Sequence, residues 1–127
     1  METFILEDDP RRIKHFISQF GDIVHTDDIV EAKEILVKTK FDLIFLDHDL
    51  GGPFQRGKNG DGIDIAYFLA GKSLQLDAVI IIHSLNDVGS SNMLQALSYT
   101  HNNVHRIDYL ALRKIPYEVI KEAFLRI

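Results

Sequence analysis

Three clusters of acidic or imidazole side chains each follow a short apolar run, and together they suit phosphate chemistry. The clusters are Glu7-Asp8-Asp9, Asp47-His48-Asp49 and His83-Ser84. Carboxylate oxygens are ligands that Mg²⁺ prefers, and imidazole takes up or releases a proton near neutral pH. Converging carboxylates are costly unless a cation or a phosphate uses them. The clusters form one site only if the fold brings the ends of the three apolar runs together.

Short apolar runs alternate with helical patterns along the chain, which is typical of an α/β fold with a parallel sheet. Strands are predicted at residues 3–6, 23–25, 41–46, 78–82 and 104–107. We predict a three-layer, doubly wound, five-stranded parallel sheet in the flavodoxin-like order 2-1-3-4-5. This order places the first, third and fourth strands side by side, so the three clusters would meet beyond their carboxyl ends.

A helix is expected after each predicted strand. In the third helix, the apolar spacing predicts an inward face that includes Tyr67. The fourth helix is expected over Ser91–Tyr99, with Ser90 or Ser91 as its N-cap and Ser98 on its inward face. These helices would cover both faces of the sheet.

The composition indicates one globular domain over residues 1–127, because 46% of the residues are hydrophobic and the length is that of a single domain. Cysteine is absent, which excludes disulfides and thiolate nucleophiles. The formal net charge of −5 argues against bulk nucleic-acid binding. No apolar run approaches the roughly 20 residues of a membrane span, and the first residues lack a secretory signal, so we expect a soluble, cytoplasmic protein.

The acidic clusters offer candidate ligands and a candidate nucleophile. Glu7, Asp8 and Asp47 are candidate ligands of Mg²⁺ or Mn²⁺. Asp47 is also a candidate nucleophile toward phosphorus, and His48 and His83 are candidates for general base and general acid. The alternatives are structural: an aspartate can cap a helix or bond its own turn, and a histidine after a buried strand often only completes the fold.

Two further regions carry groups that suit a phosphate. Residues 50–61 form a polar, glycine-rich loop in which Lys58 could clamp a phosphate, although a solvated loop is the simpler interpretation. After the fourth predicted strand, Ser84 and Asn86 could bind phosphate oxygens or cap the next helix. The chain contains no P-loop and no dinucleotide-binding fingerprint.

Two stretches resemble the receiver domain of two-component response regulators (the CheY-like superfamily). They are Phe4–Pro10, which resembles the first strand with its acidic pair, and Phe41–Asp47, which resembles the third strand. The resemblance implies that Glu7 and Asp8 hold Mg²⁺ and that Asp47 accepts a phosphoryl group. It also implies that Asp49 offers its backbone carbonyl to the metal.

The chain also departs from ordinary receivers. His83 stands where they usually have threonine or serine, and no lysine–proline pair follows the fifth predicted strand. These departures resemble the receiver-like family named for cyclic-phosphate processing. Two separated segments of this chain, Asp47–Gly52 and His83–Asn86, resemble the sequence motifs of that family.

The closer resemblance implies a metal-dependent phosphoesterase-like receiver domain that acts on a small, cyclic phosphate ester, with His48 and His83 as base and acid. The alternative is a stand-alone response-regulator receiver that takes a phosphoryl group on Asp47 in a two-component phosphorelay. Its partners would be a histidine kinase and another protein that it contacts. A third alternative is a pseudo-receiver that only binds its partners.

Overall fold

The computed structural model describes residues 1–51 and 55–125. Its sheet has five parallel strands in the order β2-β1-β3-β4-β5, which confirms the predicted doubly wound α/β fold and its strand order. The strands are β1 (Thr3–Leu6), β2 (Val24–Thr26), β3 (Leu43–Leu46), β4 (Val79–Ile82) and β5 (Val104–Arg106). Part of the predicted loop of residues 50–61, Gly52–Phe54, lies outside the described residues.

Helices follow each strand and cover both faces of the sheet. They are α1 (Pro10–Phe20), α2 (Ile29–Lys38), α3 (Gly62–Lys72), α4 (Asp87–Ser98), α5 (Tyr109–Leu112) and α6 (Tyr117–Ile120), which continues as a π-helical turn over Lys121–Leu125. None of the helices in the described part of the chain is long and apolar enough to cross a membrane.

The three central strands alternate their side chains between two separate hydrophobic clusters. Even-numbered residues such as Leu46 and Ile82 pack with α2, α3 and α4 in the first cluster. Odd-numbered residues such as Phe45 and Ile81 pack with α1, α5 and α6 in the second cluster. Because both faces are covered, every residue of β1, β3 and β4 is buried, which explains why all of them except Thr3 are apolar.

Polar side chains set the beginnings of the helices. Asp9 caps α1 by accepting a hydrogen bond from the Arg11 amide, and Pro10 occupies the first helical position. Asn86 caps α4 through the Gly89 amide at 2.8 Å. The prediction of Ser90 or Ser91 as the N-cap of this helix is therefore wrong, because the polar run before them already forms its first turn.

The predicted inward face of α3 is also wrong in its phase. Tyr67 is 62% exposed, whereas Ile65 and Leu69 are buried against the sheet. The helix begins at Gly62, whose amide donates to the carbonyl of His48 at 2.8 Å. This backbone contact sets the rotation of α3. In α4, Ser98 is likewise exposed, and the inward positions are those of Met93 and Leu97.

Candidate functional site

The strand register brings the predicted clusters together. Ile5, Phe45 and Ile81 lie in one row across the sheet, and so do Leu6, Leu46 and Ile82. The next row consists of Glu7, Asp47 and His83, whose ligand atoms lie within 4.8 Å of one another. These three residues extend the face that α1 covers, because side chains alternate along a strand.

A cleft of about 720 Å³ opens beyond this row of side chains. Its lining includes Glu7, Asp8, Asp47, Asp49, Ser84 and Asn86. In an open α/β sheet, ligands bind in the crevice outside the carboxyl ends of the strands. Each of the three clusters therefore contributes residues to a cleft at the expected place, although His48 and His83 are not among its lining residues.

Glu7 is fixed by internal hydrogen bonds at the end of β1. Its Oε2 accepts from the amides of Asp8 at 3.0 Å and Asp9 at 3.2 Å. Its Oε1 lies 2.9 Å from Nε2 of His83, and both side chains are fully buried. Glu7 therefore anchors the acidic row, because both of its oxygens already have partners within the protein.

Asp47 presents a constrained carboxylate to the cleft. Its Oδ1 accepts from the His48 amide at 2.8 Å, while Oδ2 lies 3.8 Å from Nη1 of Arg12. Burial, together with Glu7, raises the pKa of Asp47 to about 7, although the charge on a protonated His83 acts in the opposite direction. The backbone therefore orients the Asp47 carboxylate, and the distant guanidinium of Arg12 offsets only a small part of its negative charge.

Asp8 adds a further carboxylate to this crowded site. Burial, a hydrogen bond with Glu7 and the negative charge of Glu7 raise the pKa of Asp8 to about 6. A cluster of carboxylate oxygens is a set of ligands that suits Mg²⁺ or Mn²⁺. Such a cation would offset the repulsion between the carboxylates that raises these pKa values. Asp8 and Asp47 are the residues that would hold it, with Glu7 supporting them.

His83 lies beneath the cleft. Its ring is fully buried against Phe16 and Phe45, with centroid distances of 5.3 and 6.3 Å. Burial lowers the pKa of His83 to about 4, so the ring is neutral and Nε2–H donates to Glu7. Its Nδ1 has no hydrogen-bond partner among the described residues. This geometry makes His83 a positioning residue for Glu7.

His48 lies on the other side of the sheet. Its Nδ1 is 2.7 Å from Oδ1 of Asp49, and Asn86 Nδ2 donates to the same carboxylate at 3.2 and 3.3 Å. A Cβ atom on Gly89 of α4 would lie 2.6 Å from the His48 ring. His48 and His83 therefore contact different helical layers and do not face each other across the cleft.

The three predicted phosphate-binding residues have separate surroundings. Ser84 is buried and its Oγ accepts from the Asn86 amide at 3.0 Å, so these two residues form the turn that begins α4. Lys58 Nζ contacts Asp27 at 3.3 Å, and Lys58 is not among the residues that line the cleft. The structure thus brings Ser84 and Asn86 to the site and places Lys58 outside it.

Arg12 is a site residue that the sequence analysis did not identify. Its Nη1 lies 3.5 Å from Oε1 of Glu7 and 3.8 Å from Oδ2 of Asp47, and the side chain is 22% exposed. A signal was available, because a basic residue in the first turn after an acidic strand end can reach back over it.

The pKa values predict how stability depends on pH in the absence of divalent ions. Asp47 has a pKa of about 7 when folded against 3.8 as a free side chain, so folding favours its protonated form and stability falls as pH rises through this range. His83 acts oppositely between about 4 and 6.5, because folding favours its neutral form. Above pH 6.5 the effect of His83 fades and that of the Asp47 carboxylate dominates.

We therefore expect the free energy of unfolding, measured with urea, to decrease between pH of about 6.5 and about 8. Millimolar Mg²⁺ or Mn²⁺ should remove most of this decrease, because binding to the folded state stabilises it. Asp47→Asn should flatten the profile without any metal. An Asp47→Asn profile that still falls as steeply as that of the unmodified protein would contradict the assignment.

The chain matches a known family model and shares its fold with solved structures. Residues 3–99 match the family model described as the cyclic-phosphate processing receiver domain. A search of curated proteins finds no match.

Among solved structures, the phosphorylated cyanobacterial phytochrome response regulator RcpA is 18% identical with a TM-score of 0.69, over 98% of this chain and 93% of that one. A response regulator from Colwellia psychrerythraea is 20% identical with a TM-score of 0.65, over 99% and 98%. One from Burkholderia pseudomallei, with a phosphorylated aspartic acid and a calcium ion, is 18% identical with a TM-score of 0.62, over 98% and 66%. At these identities the structures show a shared fold.

Proposed function

Because the chain belongs to the family of cyclic-phosphate processing receiver domains, we propose that it works as a receiver whose Asp47 accepts a phosphoryl group. The observation that carries this proposal is the Asp47 carboxylate at the end of β3. One oxygen is held by the His48 amide at 2.8 Å, and the residue lines the cleft beside Asp8 and Glu7. Such a carboxylate is oriented to act as a nucleophile.

The reaction needs one group transfer. Oδ2 of Asp47 attacks the phosphorus of a phosphodonor, a new O–P bond forms, and the bond from phosphorus to the donor's leaving atom breaks. With acetyl phosphate the leaving group is acetate. A divalent cation, when bound, neutralises the phosphoryl oxygens. The His48 amide keeps Oδ1 turned away from the attack, and Glu7 holds Asp8 in place through its hydrogen bonds.

Two solved structures with the same fold support this proposal. One is a phosphorylated response regulator, and the other has a phosphorylated aspartic acid and a calcium ion. We infer that the donor is a small acyl phosphate or the phosphohistidine of a histidine kinase. The partner that would read the phosphorylated state is a second protein.

The test is incubation with acetyl phosphate and Mg²⁺, followed by intact-protein mass spectrometry. We expect a mass increase of one phosphoryl group, which EDTA prevents and hydroxylamine removes, because an acyl phosphate reacts with that nucleophile. Absence of the adduct with both Mg²⁺ and Mn²⁺, in protein shown to be folded, would refute the proposal.

A second candidate function is hydrolysis of a cyclic phosphate ester, and the His48–Asp49 pair favours it. A histidine oriented by a carboxylate at 2.7 Å can act as a general base. His48 would take a proton from water, the water oxygen would bond to phosphorus, one ring P–O bond would break, and the released ring oxygen would take a proton from solvent. The general-acid role first assigned to His83 lacks support, because its ring is fully buried and bonded to Glu7.

This second function predicts a different pattern of variants. Incubation with 2′,3′-cyclic nucleotides and Mn²⁺ should give a ring-opened monoester, detected by chromatography. We expect His48→Ala and Asp49→Asn each to lower the rate by about a hundredfold, in line with the loss of a general base. Lys58→Gln is the matched control, because its ammonium group contacts Asp27 instead. Equal rates in all three variants would exclude catalysis by His48.

A further inference from the structure

The guanidinium group of Arg12 lies over the acidic row from the side of α1. Its Nη1 is 3.5 Å from Oε1 of Glu7 and 3.8 Å from Oδ2 of Asp47, and its Nε is 3.9 Å from Oδ2 of Asp9. These distances are those of ion pairs without close hydrogen bonds. At these distances the N–H groups of Arg12 can still donate to a ligand in the cleft.

An aromatic ring holds this guanidinium in place. The Cζ atom of Arg12 lies 4.6 Å from the centroid of the Tyr109 ring, at a distance typical of a cation–π contact. Tyr109 is itself packed against His15 and Phe16 of α1, at 6.0 and 6.1 Å between ring centroids. The planar fork is therefore preorganised, and little side-chain entropy remains to be lost when it binds an anion.

Arg11 also lines the cleft, but its side chain is 93% exposed and its Nε lies 3.6 Å from Asp9. Two further basic groups contact other residues. Lys58 contacts Asp27 at 3.3 Å, and Arg106 pairs with Asp87 at 2.7 Å and donates to the Ser84 carbonyl. Among the described residues, Arg12 is the basic residue that forms an ion pair with Asp47. A phosphoryl group on Asp47 would carry nearly two negative charges in place of the single charge of the carboxylate, beside Glu7 and Asp8, so a cationic side chain at this point would stabilise it.

We propose that Arg12 is the phosphoryl-binding residue of this receiver: its guanidinium binds two oxygens of the phosphoryl group on Asp47. This inference rests on the proposed phosphorylation of Asp47 and adds the residue that stabilises the product. Guanidinium pairs with phosphate through two parallel hydrogen bonds. The cation therefore comes from α1 and is supported by α5, in a chain with no lysine–proline pair after β5.

Beryllium trifluoride in the presence of Mg²⁺ is the probe, because it mimics a phosphoryl group without requiring transfer. Binding is measured by ¹⁹F NMR, and phosphorylation by acetyl phosphate is measured in parallel. We expect Arg12→Gln to weaken trifluoride binding by at least about tenfold and Arg12→Lys to retain part of it. Lys14→Gln is the matched control, because it removes the same charge from an exposed position of the same helix.

A double-mutant cycle separates this role from a merely structural one. Tyr109→Leu should weaken trifluoride binding by a few-fold in the Arg12 background, because the guanidinium loses its platform. In the Arg12→Gln background the same change should have no further effect on binding. Thermal unfolding of each ligand-free variant shows whether a loss of binding follows from a loss of fold.

The outcomes distinguish the two proposals. Trifluoride binding and phosphorylation that are the same in Arg12→Gln and Lys14→Gln, with normal uptake by the unmodified protein, overturn the role of Arg12 and leave phosphorylation intact. An unmodified, folded protein that takes neither trifluoride nor a phosphoryl group overturns both. A loss in Arg12→Gln but not in Lys14→Gln, with a further loss when Tyr109→Leu is added to Arg12→Gln, supports a role for Arg12 and rejects Tyr109 as its support.

Discussion

Replacing Asp47 by asparagine should abolish phosphorylation by acetyl phosphate. The carboxamide keeps the size of the side chain. Its oxygen can still accept from the His48 amide, which lies 2.8 Å from Oδ1 in the unmodified protein. It lacks the nucleophilic carboxylate oxygen that faces the cleft, so no acyl phosphate can form. We expect the mass adduct to disappear while the fold is kept, as checked by circular dichroism and intact-protein mass spectrometry.

Asp49→Asn is the matched control for this experiment. Asp49 lies two residues further on, in the same cleft, but its carboxylate contacts His48 and Asn86 instead of the acidic row. Its phosphorylation should remain within a few-fold of that of the unmodified protein. If the adduct survived in Asp47→Asn and disappeared in Asp49→Asn, the phosphoryl acceptor would be misassigned. Loss in both variants would point to a cation site that needs both side chains.

The strand order and the acidic row followed from the sequence for one physical reason. A central parallel strand is buried on both faces, so β1, β3 and β4 read as continuous apolar runs that are easy to align. Once the order 2-1-3-4-5 is assumed, the first polar residue after each run falls into a common row. Glu7, Asp47 and His83 occupy that row.

The sequence also contains the reason why His48 and His83 lie on opposite faces of the sheet, although the sequence analysis above does not draw on it. His83 follows Ile82 directly and continues the odd-numbered face, whereas His48 stands one residue beyond its row and continues the even-numbered face. Side chains on successive residues of a strand point in opposite directions. The odd and even numbering of the two histidines is therefore enough to place His83 in the layer of α1 and His48 in that of α4, as the structure has them.

Other features depended on tertiary contacts that no local pattern encodes. The phase of α3 is set by the approach of Gly62 to the backbone after β3, so the periodicity of its apolar residues placed Tyr67 on the wrong face. The position of Arg12 depends on Tyr109, which lies in the short helix α5. That helix was not predicted, because its four residues are too few for a periodic signal.

Gly62→Ala should be the most destabilising single substitution among those considered. A Cβ atom at this position would lie 1.8 Å from the carbonyl oxygen of Asp47 and 2.9 Å from Cα of His48. Both neighbours are backbone atoms, so neither can move aside without displacing the end of β3 or the start of α3. The Gly62 amide also donates to the His48 carbonyl at 2.8 Å, and this hydrogen bond would be strained or lost.

We expect Gly62→Ala to lower the free energy of unfolding by about 3 kcal/mol, at the upper end of the range found for steric overpacking. Urea denaturation measures this change, provided that the slope with denaturant is unchanged. The same displacement should move the Asp47 carboxylate away from the acidic row. Phosphorylation by acetyl phosphate should therefore fall sharply, even under conditions in which the variant is still folded.

Gly71→Ala provides the opposite expectation within the same helix. A Cβ atom on Gly71 would meet nothing within 4 Å, so alanine should stabilise α3 by roughly 0.5–1 kcal/mol through its higher helix propensity. It should leave phosphorylation unchanged. Similar stabilities of the Gly62→Ala and Gly71→Ala variants would show that the backbone after β3 can move enough to accommodate a Cβ atom at position 62. The acidic row would then not depend on this backbone contact for its geometry.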